Sequence, residues 1–264
     1  MKIENRECLF GIPFHAWSMS QTVQTICDRI EAGVFTQHVV INVAKVVNSQ
    51  KDAELRASIE ACDIINVDGM GVVWGCRSLG LDVLERVAGV DLFLNLIGRS
   101  EEKGFPVFLL GAKDEVVRKT ADELMTKHPN LNIAGYHHGY FWDNEDEVVK
   151  QIKDSGAKLL FVAITSPKKE NFINKRRDEL GIDFVMGVGG TFDVVAGKVK
   201  RAPLWMQKYG LEWFYRVLQE PRRMWKRYFV TNSIFLWMLV RGFVSNKFKK
   251  NGWVKERVTG RTED

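Results

Sequence analysis

Six short apolar runs between residues 37 and 197 constrain the fold of this chain more than any other feature. They are His38-Val-Val-Ile-Asn42, Cys62-Asp-Ile-Ile-Asn-Val67, Pro106-Val-Phe-Leu-Leu110, Leu131-Asn-Ile-Ala134, Lys158-Leu-Leu-Phe-Val-Ala-Ile164 and Ile182-Asp-Phe-Val-Met186. Several are β-branched, bounded by Gly or Pro, and separated by segments of helix length. Val117–Lys127 and Glu145–Lys153, which lie between runs, have helical composition. This alternation predicts an α/β fold with a mainly parallel sheet flanked by helices.

Ligands of such sheets bind outside the carboxyl ends of the strands. The residues that follow the runs therefore matter most: Asn42, Asp68-Gly-Met-Gly71, Gly111-Ala112, Gly139-Tyr-Phe141, Thr165-Ser-Pro-Lys-Lys-Glu170 and Gly187-Val-Gly-Gly-Thr-Phe-Asp193. Glycine recurs in them, which suits a nucleotide pocket because backbone N–H groups then approach phosphate closely. Asp68 reads either as a general base or as a helix N-cap. Arg86 reads as a phosphate clamp or as a surface partner of Glu85 and Asp91, with Asp91 also suited to capping a helix. Ser166 and Pro167 open a helix whose N-terminus, with Lys168 and Lys169, can form an anion site or simply start the helix. Asp193 can accept from a uracil or ribose, or cap a helix. His137 and His138, adjacent in a strand, are expected to point to opposite faces, which weakens a metal reading.

The chain has no Gly-x-x-x-x-Gly-Lys-Ser/Thr, no Gly-x-Ser-x-Gly and no Gly-x-Gly-x-x-Gly after the first run, which argues against a P-loop nucleotidase, an α/β-hydrolase and a dinucleotide enzyme. Four scattered cysteines without a CxxC pair suit a reducing compartment. Met1 to Glu7 is charged and lacks the apolar run of a signal peptide.

Charge divides the chain in two. The net charge is +5, but residues 198–264 carry 16 Lys/Arg against 5 Asp/Glu, a net +11, leaving −6 on residues 1–197. The same tail holds five of the eight tryptophans. Tryptophan mixed with Arg and Lys is the composition of a membrane interface. Leu211, Phe214, Tyr215 and Leu218 have helical spacing that Pro221 is expected to interrupt, and the apolar stretch Ile234–Val240 is too short and polar-flanked to span a bilayer. The expected organisation is a core at 1–197 and a basic, amphipathic, membrane-associating appendage at 198–264. A basic membrane- or nucleic-acid-binding module without catalysis is the alternative that the tail alone would allow.

Taken together, Asp68-Gly-Met-Gly-Val-Val-Trp74, Glu85-Arg-Val-Ala-Gly-Val-Asp91, His138-Gly-Tyr-Phe141, Ser166-Pro-Lys-Lys-Glu170, Gly187-Val-Gly-Gly-Thr-Phe-Asp193, Arg201-Ala-Pro-Leu-Trp205 and Gly210-Leu-Glu-Trp-Phe-Tyr-Arg216 running into Gln219-Glu-Pro-Arg-Arg223 resemble the WecG/TagA/CpsF family of bacterial glycosyltransferases in kind and order. The resemblance covers roughly residues 37–228. It implies a Rossmann-like core and an inverting hexosyl transfer from a UDP-sugar to a polyprenyl-diphosphate-linked saccharide in cell-surface polysaccharide synthesis. It implies no divalent metal or other cofactor, no nucleic-acid partner, a peripheral place on the cytoplasmic face of an anionic membrane, and a capacity to self-associate. By position it implies Asp68 as catalytic base with Arg86 and Asn42 beside it. Gly111, Tyr140, Ser166, Lys169, Gly189, Gly190 and Asp193 would serve the donor, and Arg216, Arg222 and Arg223 the acceptor and leaving group. Lys169 stands where family members often carry Gln, and Val40 where the N-acetylmannosamine branch tends to have Thr. The donor is therefore open between glucose and an N-acetylmannosamine or uronate sugar.

Overall fold

The computed structural model describes residues 6–248. A hairpin, β1 (Arg6–Leu9) and β2 (Ile12–His15), precedes helix α1 (Met19–Glu31). All six apolar runs then form strands: β3 (Thr36–Ile41), β4 (Ile64–Val67), β5 (Val107–Gly111), β6 (Ile133–His137), β7 (Leu159–Ala163) and β8 (Phe184–Gly187). They make one parallel sheet in the order β4-β3-β8-β7-β5-β6. Helices α2 (Val43–Asn48) and α3 (Ala53–Glu60) join β3 to β4, and α4 (Met70–Ser78) and α5 (Gly89–Lys103) join β4 to β5. α6 (Asp114–Lys127), α7 (Glu145–Asp154) and α8 (Lys168–Arg176) fill the later crossovers, and α9 (Thr191–Val195) follows β8. The architecture is α/β and Rossmann-like, as the sequence predicts.

The runs are continuously apolar because the sheet is covered on both sides. Every residue of β3, β4, β5, β7 and β8 is buried, and only the edge strand β6 is not. Alternate residues serve opposite layers. Leu109, Phe161 and Met186 pack with α1, α5, α6 and α9, whereas Leu110, Val162 and Val185 pack with α7 and α8. Val39, Ile41, Ile65 and Val67 extend that second layer to α2 and α3. The loops after β3 and β8, which are neighbouring strands, thus leave for opposite layers. The crevice this opens is a topological switch point.

The N-terminal hairpin has no counterpart among the strands that the sequence predicts. Its strands are four residues long, and its turn places Phe10 at φ 51° and Gly11 at φ 80°. It shields the β4 edge, where His15 Nδ1 accepts the Ile65 N–H at 3.0 Å.

The basic tail forms α10 (Leu204–Lys208), α11 (Glu212–Gln219) and α12 (Pro221–Phe248). Pro221 separates α11 from α12 and sits at the start of the latter, where its missing N–H leaves no bond unmade. One side of α12 packs on the core. Phe235 is 4% exposed and meets Phe10 edge-on at 6.1 Å between ring centres. The other side exposes Trp225, Phe229, Leu236, Trp237, Val240 and Phe243, each by more than half, with the Arg241 guanidinium 5.3 Å from the Trp237 ring centre. Among the described residues no helix is long and apolar enough to cross a membrane.

Gly75 of α4 makes the docking of α12 possible. A Cβ there would lie 2.9 Å from Phe235 Cζ and 3.1 Å from Leu239 Cδ2. Gly75→Leu is expected to cost about 1–3 kcal/mol through overpacking and to expose α12 to protease while the sheet stays folded. Limited proteolysis beside a melting curve checks this; an unchanged digestion pattern would mean that α12 does not rest on α4.

Candidate active site

The site is built around Asp68, the first residue beyond β4. Its N–H donates to Ile41 O at 2.8 Å, so it is still held to β3 as the sheet ends. Val67 is in register with Ile41, which places Asn42 beside Asp68 at adjacent strand ends. Gly69, at φ 92°, turns the chain into α4. Gly69 occupies the N-cap position and α4 has no side-chain cap, so Asp68 is not a capping residue. Its carboxylate instead accepts the N–H of Gly89, the first residue of α5. Burial raises the Asp68 carboxyl above its usual range; Glu212 adds to this, and Arg86, the Gly89 N–H and Arg216 oppose it.

Arg86 does not pair with Glu85 or Asp91. Its Nη1 is ion-paired with Glu212 Oε2 of α11. Glu85 accepts the Met19 N–H, and Asp91, in the first turn of α5, takes both terminal nitrogens of Arg201 at 2.5 and 2.7 Å. Arg216 lies one turn beyond Glu212 and is half-buried. Arg222 is exposed in the first turn of α12. The Arg223 side chain lies outside the described residues. Asn42 caps α2, with Oδ1 accepting the Lys45 N–H at 3.0 Å.

The remaining candidates follow the carboxyl edge of the sheet away from Asp68. Gly189 (φ 55°) and Gly190 lead into α9, where Asp193 is half-buried. Ser166 precedes α8. Gly111, at φ 125°, ends β5; a Cβ there would sit 2.5 Å from Ala163 O, so only glycine lets the two strand ends close up. Tyr140 follows β6 and is 68% exposed. With strands about 4.8 Å apart, β4 and β5 are separated by roughly 19 Å. The candidates thus form an extended row rather than one cluster.

A family model for the glycosyl transferase WecG/TagA/CpsF family matches residues 7–249. The chain belongs to the WecG/TagA/CpsF glycosyltransferase family. It is therefore a glycosyltransferase of cell-surface polysaccharide synthesis, and the match runs through α12, so the tail is part of the family's unit.

In this glycosyltransferase Lys169 is not an exposed anion-binding lysine. It is 5% exposed, and its Nζ lies 2.7 Å from Glu170 Oε1. Lys45 Nζ is 3.0 Å from the same oxygen and donates to Val40 O at 2.7 Å. The Lys169 stem lies over Gly187, where a Cβ would be 2.7 Å from Lys169 Cε. Burial and the neighbouring Lys45 lower the Lys169 ammonium to about 8, against the pull of Glu170. Burial pushes the Glu170 carboxyl up, but Lys45 and Lys169 more than reverse this and hold it at about 2. Lys168, not Lys169, is the exposed lysine of this turn, with Nζ 5.3 Å from the Trp142 ring centre.

His137 and His138 do not diverge as a strand would require. Their rings are 4.3 Å apart, because β6 ends at His137. Sequence reasoning missed Glu212, Arg201, Lys45 and Glu170 as parts of the site. Glu212, Arg201 and Glu170 lie inside motifs that the sequence makes visible, yet nothing local in a motif names a partner more than a hundred residues away.

Proposed function

We propose that this glycosyltransferase inverts the anomeric centre of a UDP-hexose-type donor while moving the sugar to a polyprenyl-diphosphate-linked saccharide. The observation that carries the reading is Asp68: a half-buried carboxylate raised above its usual range, beside a guanidinium, at the end of β4 and next to the β3 end that borders the switch-point crevice. In the proposed step Asp68 takes the proton of the acceptor hydroxyl. The hydroxyl oxygen bonds to the anomeric carbon from the face opposite UDP, and the bond from that carbon to the diphosphate oxygen breaks, so the configuration inverts. UDP leaves with its electron pair. Its charge would meet Arg86, Arg216 and the tail arginines Arg222 and Arg223, with no divalent metal taking part. The row of glycine turns supports a long nucleotide-sugar laid along the sheet edge, with the sugar near Asn42 and Asp68 and the nucleotide toward Gly111 and Tyr140.

The exposed tryptophans and phenylalanines of α12, flanked by Arg222, Lys226, Arg227 and Arg241, support peripheral attachment to an anionic membrane surface on the cytoplasmic side. The reading includes no nucleic-acid partner, and it allows self-association.

The test is a donor panel: purified full chain, a short-chain lipid-diphosphate saccharide, and UDP-sugars with and without EDTA. Transfer from one UDP-sugar, unaffected by EDTA and inverted in the product's NMR spectrum, is the expected result. UDP should also raise the melting temperature. Absence of both transfer and UDP protection would overturn the reading.

A further inference from the structure

Glu212 has no role in the transfer step, yet its carboxylate engages the guanidinium that flanks the base. Arg86 is 14% exposed in its side chain, so it has little water to satisfy its five N–H donors and needs an acceptor. Two carboxylates compete for it, Asp68 and Glu212. Among the described residues Arg86 has its ion pair with Glu212 and none with Asp68.

Glu212 is itself fixed in place. Its other oxygen, Oε1, lies 3.6 Å from Arg201 Nε, and Arg201 is clamped in bidentate fashion on Asp91. The result is a chain of alternating charge, Asp91–Arg201–Glu212–Arg86, running from the first turn of α5 through α11 to the loop beside the base. Val90, Arg201, Glu212 and Arg216 enclose a space of only about 20 Å³, room for about one water. With Glu212 neutralised, Asp68 is the carboxylate left in electrostatic reach of Arg86.

We propose that Glu212 is a positioning residue that holds Arg86 off Asp68, leaving the Asp68 carboxylate free to accept a proton while the guanidinium stays beside it. α11 thereby supplies both the carboxylate that restrains Arg86 and the charge of Arg216. The catalytic consequence rests on the proposed transfer reaction, but the charge geometry does not.

The groups facing Asp68 are Arg86 from the loop before α5, the Gly89 N–H of α5, and Glu212 and Arg216 of α11. Removing the Glu212 charge acts on Asp68 twice, in one direction. It takes away a nearby negative charge, and it lets Arg86 pair with Asp68 directly. Both favour the ionised carboxylate. A carboxylate beside an arginine typically titrates about one to three pH units lower.

The experiment compares wild type, Glu212→Gln and Glu212→Asp, with melting curves to show that each is folded. Asp68 is followed by ¹³C NMR of labelled aspartate carboxyls, assigned with Asp68→Asn, and kcat is measured against pH where transfer occurs. In Glu212→Gln the Asp68 titration and the acid limb of kcat are expected to move down by at least one pH unit. The plateau kcat should fall about 10–100-fold, because a paired carboxylate is a weaker and less available base. Glu212→Asp, which keeps the charge on a shorter arm, should recover part of both. An unmoved or upward titration with a folded protein overturns the proposal, whatever happens to kcat. If wild type transfers no sugar from any donor, the reaction reading fails, and the NMR titration still decides the role of Glu212.

Discussion

Asp68→Asn is expected to lower kcat by about 10²–10⁴ while the protein stays folded. The loss is the usual contribution of a positioned general base. Retention of the fold follows from the direction of the Asp68 titration. Burial raises its carboxyl in the folded protein, so between the unfolded value of 3.8 and the raised value the folded state binds more protons than the unfolded one. Stability attributable to Asp68 therefore falls as pH rises through that window, and at neutral pH the charged carboxylate is a burden on the fold. A neutral amide of the same shape relieves it. Melting curves should show Asp68→Asn at least as stable as wild type, and the acceptor-dependent rate should lose its acid limb. A folded Asp68→Asn protein with wild-type turnover would remove Asp68 from the base role and send attention to Asp193.

Glu170→Gln is expected to be the most destabilising conservative change in the second layer, at about 3–5 kcal/mol. Glu170 is 3% exposed and one of its oxygens faces two ammoniums, from Lys45 and Lys169. With the carboxylate gone, two buried cations face each other unpaired. The sign of the pH dependence separates this from a packing defect. In wild type, Glu170 titrates near 2 against an ordinary 4.5, so its stabilising contribution is complete above 4.5 and is lost as pH falls toward 2. In Glu170→Gln the lysines escape by releasing protons, so the deficit should shrink as pH rises toward the ordinary lysine range. Lys169→Gln, which leaves Glu170 paired with Lys45, should cost far less. Urea unfolding at several pH values reads all three. A Glu170→Gln deficit below about 1 kcal/mol, or one that does not vary with pH, would mean that the three charges are not a buried unit.

This buried triad also changes what Lys169 means for specificity. The sequence marks position 169 as a departure at the sugar end of the site. The structure turns its ammonium inward and lays its stem on Gly187, so Lys169 is placed to hold the β7 and β8 ends together rather than to face a ligand.

The sheet is legible in the amino-acid sequence because its signals are local. Leu159–Ala163 and Val107–Gly111 are apolar throughout and bounded by breakers, and being covered on both faces is what makes such runs continuous. The hairpin at Arg6–His15 is not legible: Arg6-Glu-Cys-Leu9 and Ile12-Pro-Phe-His15 lack the continuous apolar run of the buried strands, and they persist because Leu9, Ile12 and Phe14 bury against the β4 side of the sheet. Asp68 is legible as a strand-end carboxylate, but its neighbours in sequence do not tell base from cap. A cap bonds the backbone two or three residues on, whereas Asp68 bonds Gly89, which lies beyond α4.

The α/β class, the six strands of the parallel sheet, the loops at their ends, the basic character of the tail and the family are readable from short stretches of the chain, because periodicity, glycine punctuation and ordered motifs are written within a few residues of one another. The strand order, the docking of α12 on Gly75 and the choice of ion partners, Arg86 with Glu212 across 126 residues and Lys45 with Glu170, emerge once the chain is packed. A charge pairs with whichever opposite charge the packed core brings within reach, and which one that is depends on how the whole chain packs, not on the residues beside it.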